Sequence, residues 1–173
     1  MKQYTITVFS DESEDFEMQI IAHENILFSN LHQAIQTALE YDPLQMASFF
    51  LSNEDWEKNE EIALIDMEDM GNIALMDDFK LSSKIKNKDQ KLLYLFDFFS
   101  ERSFFINIDK ITDTKEKAFS IDVKGKIPMQ INIDNEEIDD LMQNIGGNAK
   151  ESGLDEFEDD NISFDNIDDL EDF

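Results

Sequence analysis

The chain has no cysteine, only two prolines, five glycines and two histidines in 173 residues. Without cysteine there is no disulfide, no thiolate metal site and no cysteine nucleophile. His23 and His32 stand outside any His-Glu-x-x-His or other zinc spacing, so no metal and no cofactor is expected. The glycines are scattered, and the one pair, Gly146-Gly147, follows a helical pattern where a phosphate-binding loop would precede one. No apolar run reaches membrane-spanning length, and Met1-Lys2-Gln3-Tyr4 leads into a strand pattern rather than the apolar core of a signal peptide. The expectation is therefore no membrane and a cytoplasmic setting.

Basic residues are scarce: 14 Lys and Arg against 41 Asp and Glu give a formal net charge of −27. That excess opposes direct contact with nucleic acid or an anionic membrane and favours a basic protein surface as partner, a cation, or simple solubility. It is unevenly placed, because from Asp134 onward sixteen acids face one base, Lys150.

What the chain does have is a 41% hydrophobic content with fifteen phenylalanines, enough for one aromatic core. The run Lys91 to Ile111 is its longest apolar, β-prone stretch, broken only by Ser100-Glu101-Arg102. It reads as a hairpin at the heart of a sheet. Pairing the arms around Ser100 and Glu101 sets Leu93, Leu95, Asp97 and Phe99 on one face with Arg102, Phe104, Ile106 and Ile108. The turn lacks Gly or Asn, which favours a four-residue loop over a two-residue one. Asp97 then lies diagonal to Arg102, as an ion pair at a sheet edge or as a catalytic acid.

The remaining elements follow in order. Tyr4 to Phe9 and Phe16 to Ile20 alternate as two strands around the acidic loop Ser10 to Asp15. Phe28, Leu31, Ile35, Ala38 and Leu39 form a helical face that Asn25 or Ser29 could cap, and Pro43 keeps the helix from running on. Met46 to Leu51 and Ile62 to Ile65 are strand candidates, and Asp66 to Asp78 reads as a mobile loop. A short helix carries Phe79, Leu81 and Ile85; Ala118 to Val123 and Ile127 to Ile133 read as extended, with Pro128 marking an edge or irregular strand. Asp134 and Glu137 have capping-box spacing before the stripe Ile138, Leu141, Met142 and Ile145.

The expected fold is α+β, a curved and largely antiparallel sheet packed against a few helices, with a disordered acidic C-terminal tail. Residues 1–133 form the domain, 134–147 an amphipathic helix docked on it, and 148–173 the tail. Single apolar residues among so many acids cannot offset ordering entropy. Leu154, Phe157, Ile162, Phe164, Ile167, Leu170 and Phe173 are nevertheless spaced as anchors for a basic, grooved partner, the alternative being a tail that only solubilises. An EF-hand fails on the same segment: Asp159, Asn161 and Ser163 fit, but Phe164 stands where Gly is required and Leu170 where Glu is.

Leu31-His32-Gln33-Ala34-Ile35-Gln36, Tyr41-Asp42, Phe49, the strand Leu92 to Phe98 and Ile106 to Ile111 resemble the plasmid ORF-3-like family of prokaryotic proteins. That family is also described as insertion-element passenger, TnpR-like proteins. The resemblance spans Tyr4 to Pro128 and implies a compact α+β domain with a curved sheet on helices, and no established activity. Relatives follow the Tyr-x-(aromatic)-Asp-Phe strand with Gly-Asp-x-Trp, where this chain has Phe99-Ser100-Glu101-Arg102. They carry Ile-Trp-Arg-Arg on the second strand, where this chain has Phe16-Glu17-Met18-Gln19. Of the polar groups in these motifs only His32 and Asp97 have counterparts. The TnpR label does not imply recombinase chemistry, which needs a nucleophilic serine among arginines and a basic DNA-binding domain.

Three functional classes follow. The first is a non-enzymatic protein-interaction module whose acidic, aromatic tail engages a basic partner. The second is an enzyme using carboxylates near Asp97, with catalytic candidates Asp97, His32 and Arg102; a lone helical histidine such as His32 otherwise reads as a surface or rim residue. The third is a DNA mimic, which would need carboxylates on a rigid face.

Overall fold

The computed structural model describes residues 1–66 and 73–131. The chain divides into two units, Met1–Asn132 and Ile133–Phe173. The second lies outside the described residues, and with it the expected helix at 134–147 and the tail at 148–173.

Eight strands and two helices make up the described part: β1 Lys2–Phe9, β2 Glu17–His23, α1 Phe28–Leu39, β3 Ser48–Ser52, β4 Lys58–Ala63, β5 Ala74–Leu75, α2 Leu81–Lys84, β6 Lys91–Asp97, β7 Arg102–Asp113 and β8 Ser120–Lys124. The strands form one open, curved sheet in the order β5-β4-β3-β6-β7-β1-β2-β8. Every neighbouring pair is antiparallel except β4 with β5, so the class is α+β. Among the described residues no helix is long and apolar enough to cross a membrane.

Alternation decides the first two strands. Tyr4, Ile6 and Val8 of β1, and Met18, Ile20 and Ala22 of β2, point inward and are buried. Phe28, Leu31, Ile35 and Leu39 of α1 turn toward them, each buried side chain contributing about 1.5–3 kcal/mol relative to exposure. Phe104 lies at the centre, with ring centroids 4.4 Å from Phe96, 5.1 Å from Phe16, 6.2 Å from Tyr41 and 6.4 Å from Tyr94. On the other face Trp56 meets Phe9 and Phe105 edge-on, with Lys91 over its ring.

Several expectations are corrected. The hairpin exists, but its register differs: Asp97 pairs with Arg102, Leu95 with Ser103 and Tyr94 with Phe104, with a bulge between Leu95 and Asp97. Leu92, Tyr94 and Phe96, not Leu93 and Leu95, therefore share the core with Phe104, Ile106 and Ile108. Leu92 through Phe96 are all buried, so the central strand offers no polar alternation from which its faces could be told. The loop has the four residues expected, but runs from Phe98 to Glu101 rather than from Phe99 to Arg102, with Glu101 at φ 53°.

No side chain caps α1. The carbonyls of Phe79 and Met76 accept the N–H groups of Phe28 and Ser29 instead, so a neighbouring chain segment supplies what Asn25 or Ser29 was expected to supply. That segment is not a free loop: Ala74–Leu75 pairs with β4 and Met76 is buried, while residues 67–72 of the expected loop lie outside the described residues. The strand expected from Ile62 lies earlier, at β4. Lys126 to Ile131 forms no strand; its carbonyls are held by side chains, beginning with Tyr41 Oη donating to Pro128 O at 2.5 Å.

Candidate functional site

Arg102 is the only arginine of the chain, and its side chain is 11% exposed. It opens β7 directly opposite Asp97. Nε and Nη2 donate to the two oxygens of Glu12, both at 2.6 Å, a bidentate pairing with the β1–β2 loop. Nη2 also donates to Met129 O at 2.7 Å, and Nη1 to Gln130 O at 3.2 Å and to Asp97 Oδ2 at 3.3 Å. The planar fork has five N–H groups, and these five bonds use it fully. The guanidinium stacks over Phe96, 5.0 Å from its centroid. Glu12 raises the Arg102 pKa above its ordinary value, so the group is a permanent cation with no donor left for a substrate anion.

Asp97 is equally occupied. Its Oδ1 accepts the N–H groups of Phe99 and Ser100, each at 3.1 Å, a turn built by a carboxylate. Burial alone would raise its pKa, but the Ser100 N–H and then Arg102 hold it below its ordinary value. The expected ion pair is present, yet not at a sheet edge: β6 and β7 are inner strands, and β5 and β8 are the edges. The pair closes the turn end of the hairpin.

His32 overturns the surface expectation, being buried under α1. Its Nδ1 lies 2.7 Å from Tyr94 Oη, and Gln36 Nε2 donates to the same oxygen at 2.7 Å. With Gln36 donating, Tyr94 uses its own proton best by donating it to Nδ1, which fixes His32 as the neutral Nε2–H tautomer. Burial lowers the His32 pKa and raises that of Tyr94. No hydrogen bond joins His32 to Asp97. The two groups are connected through a chain: Gln36 Oε1 accepts from Gln130 Nε2 at 3.4 Å, and Gln130 O accepts from Arg102.

The structure therefore unites Asp97 and Arg102 and leaves His32 in a separate buried cluster. Sequence reasoning missed Glu12, Gln36, Tyr94 and Gln130. Gln36 had one signal, its position four residues after His32 at the margin of the apolar stripe. The anchors Leu154, Phe157, Ile162, Phe164, Ile167, Leu170 and Phe173 lie outside the described residues. Among the described residues no group of three or more His, Asp or Glu could hold a metal ion.

Beside this clasp of Arg102 on Glu12, Asp97 and the Met129 and Gln130 carbonyls, a cleft of about 220 Å³ is lined by Met46, Asp97, Phe98, Phe99, Gln130 and Ile131 among others. A second of about 190 Å³ shares Met46 and Phe98 with it and continues to Ile65.

Comparison with known proteins gives two findings. A family model described as plasmid pRiA4b ORF-3-like protein matches residues 5–147. A crystal structure of the protein of unknown function MM3350 from Methanosarcina mazei Go1 is similar, with a TM-score of 0.56 and 20% identity, over 71% of this chain and 68% of that one. At that identity the likeness is one of fold. No curated protein matches the sequence.

Proposed function

This chain belongs to the plasmid pRiA4b ORF-3-like family, and from that premise we propose that it is a non-enzymatic protein-interaction module whose acidic, aromatic C-terminal segment engages a basic partner protein. The observation that carries the reading is where the charge goes. From Asp134 to the end of the sequence, sixteen acids and a single lysine are interleaved with Leu154, Phe157, Ile162, Phe164, Ile167, Leu170 and Phe173. Such a field accelerates encounter with a cationic surface, and the apolar side chains supply anchors once contact is made. Two of the groups that chemistry would draw on are already engaged: Arg102 has five bonds within the protein, and both Asp97 oxygens are taken.

The test is affinity capture from a host lysate with the full-length chain and with a full-length variant carrying serine at those seven positions, at low and high salt. The expected catch is a basic protein, weakened by salt and lost with the serine variant. A catch that is indifferent to both changes would refute the reading.

A further inference from the structure

We propose that the turn end of the β6–β7 hairpin is a second docking surface, fitted to a partner segment that presents apolar side chains flanked by lysine or arginine. The inference rests on the reading that the partner is basic, and adds where residues 1–131 would meet it.

Phe99 is 90% exposed and Phe98 40% exposed, adjacent at the tip of the turn. Ile65 and Ile131 are exposed and Met46 is half-buried, and the two adjoining clefts bring these residues together around Phe98. Scattered exposed apolar side chains are ordinary, but a contiguous group marks a contact surface. This one is also held in shape. Asp97 fixes the backbone of Phe99 and Ser100 by two hydrogen bonds, and Arg102 ties the base of the turn to Glu12, Met129 and Gln130. An aromatic anchor on a turn already fixed loses little entropy on binding.

Charge selects the occupant. Of the two charged residues lining the clefts, Asp97 is already paired with Arg102 and Glu61 is left to face a cation, with no lysine or arginine among the described lining residues. Arg102, beneath the turn, has no free donor. A second copy of this chain would bring Glu61 and another −27, and a nucleic acid would bring phosphates; both are repelled. A basic segment with an apolar face answers both halves of the surface.

The test uses the full-length chain and three labelled synthetic helical peptides, read by fluorescence anisotropy at physiological salt and at about 0.5 M, where charge-only contacts are screened. One peptide has leucine on one face and lysine on the other; the second replaces lysine with glutamate, the third replaces leucine with serine. The leucine–lysine peptide is expected to bind tightest and, in high salt, to lose the share of affinity that charge supplies while the leucine-dependent share remains. Phe99→Ala, and Phe98→Ala with Phe99→Ala, should weaken it at least about tenfold with unchanged circular dichroism melts for Phe99→Ala. Equal binding by wild type and Phe99→Ala would overturn the proposal. If the serine–lysine peptide binds wild type as tightly, the surface is refuted while the basic-partner reading stands; if neither lysine peptide binds, both fall. Dimerisation in sedimentation equilibrium that Phe99→Ala abolishes would also overturn it, by making a second copy the occupant.

Discussion

Asp97 and Arg102 face each other across the mouth of the central hairpin, Oδ2 to Nη1 at 3.3 Å, and each is committed elsewhere as well. The carboxylate holds the turn while the guanidinium holds Glu12 and the carbonyls of Met129 and Gln130. The two contributions are separable. Asp97→Asn keeps an oxygen for the Phe99 and Ser100 N–H groups and loses the charge pairing, at about 1 kcal/mol. Asp97→Ala loses both and should cost about 2–3 kcal/mol. Urea titrations that put the two variants at the same midpoint would show that the turn bonds contribute nothing.

Arg102→Lys keeps the charge but not the fork. A lysine cannot reproduce the bidentate contact with Glu12 together with two carbonyls and Asp97, so carboxylates are left without their partner. The expected loss is about 2–4 kcal/mol. Hydrogen exchange should show the β1–β2 loop opening in this variant before the sheet does. A denaturation midpoint within experimental error of wild type would contradict the clasp.

His32 gives the fold a pH dependence whose sign follows from its burial. Its folded pKa is lowered from 6.5, so below 6.5 the unfolded chain takes up a proton that the folded one resists. The stabilising contribution of the neutral ring is present above that value and is lost as pH falls below it, toward the depressed folded pKa. His32→Gln removes the titration, so the melting-temperature difference between wild type and variant should shift against wild type on going from neutral pH to pH values below 6.5. Tyr94→Phe orphans His32 Nδ1 and Gln36 Nε2 together, at about 2–3 kcal/mol near neutrality. A constant difference across that pH range would mean that His32 titrates alike in both states.

The same contacts set the limits of what the sequence discloses. The first two strands and α1 are legible because Tyr4, Ile6 and Val8 alternate and Phe28, Leu31 and Ile35 recur with helical period. The hairpin is legible as a hairpin but not in register, because Leu92 to Phe96 are buried on both faces and the bulge adds a residue to one arm. Glu12 and Arg102 are 90 residues apart, and no local pattern announces a partner at that distance. The start of α1 escapes local rules for a related reason: its acceptors come from Met76 and Phe79, and capping rules look only at neighbours along the chain.

Gly125 closes the approach to β2 at φ 76°, and a Cβ on it would overlap the Asp15 carbonyl. The obstacle is backbone, which cannot swing aside as a side-chain end could. Gly125→Ala therefore carries left-handed strain of about 1–2 kcal/mol and must also push the β1–β2 loop away. The variant should melt below wild type, and chemical-shift changes should concentrate at Asp15 and Phe16. Shifts confined to residue 125 and its chain neighbours would argue against that contact.

Glu40 offers the opposite sign. It ends α1 at φ 56°, its N–H reaching the Gln36 and Thr37 carbonyls, and the Tyr41 N–H returns to Gln36 O at 2.9 Å. This position favours glycine because a side chain there is strained. Glutamate is also the wrong charge for a helix C-terminus, where the carbonyl ends carry partial negative charge, and it adds to a chain already at −27. Glycine removes the strain and the repulsion but gives the unfolded chain more freedom, which returns part of the gain. The balance for Glu40→Gly is an increase of about 0.5–1 kcal/mol, and Glu40→Gln should recover only the electrostatic share. Thermal melts at low and high salt divide the two: the glutamine variant's advantage should fade with salt, while the glycine variant's should largely persist. A Glu40→Gly protein that melts below wild type at every salt concentration would show that the left-handed residue is not a source of strain.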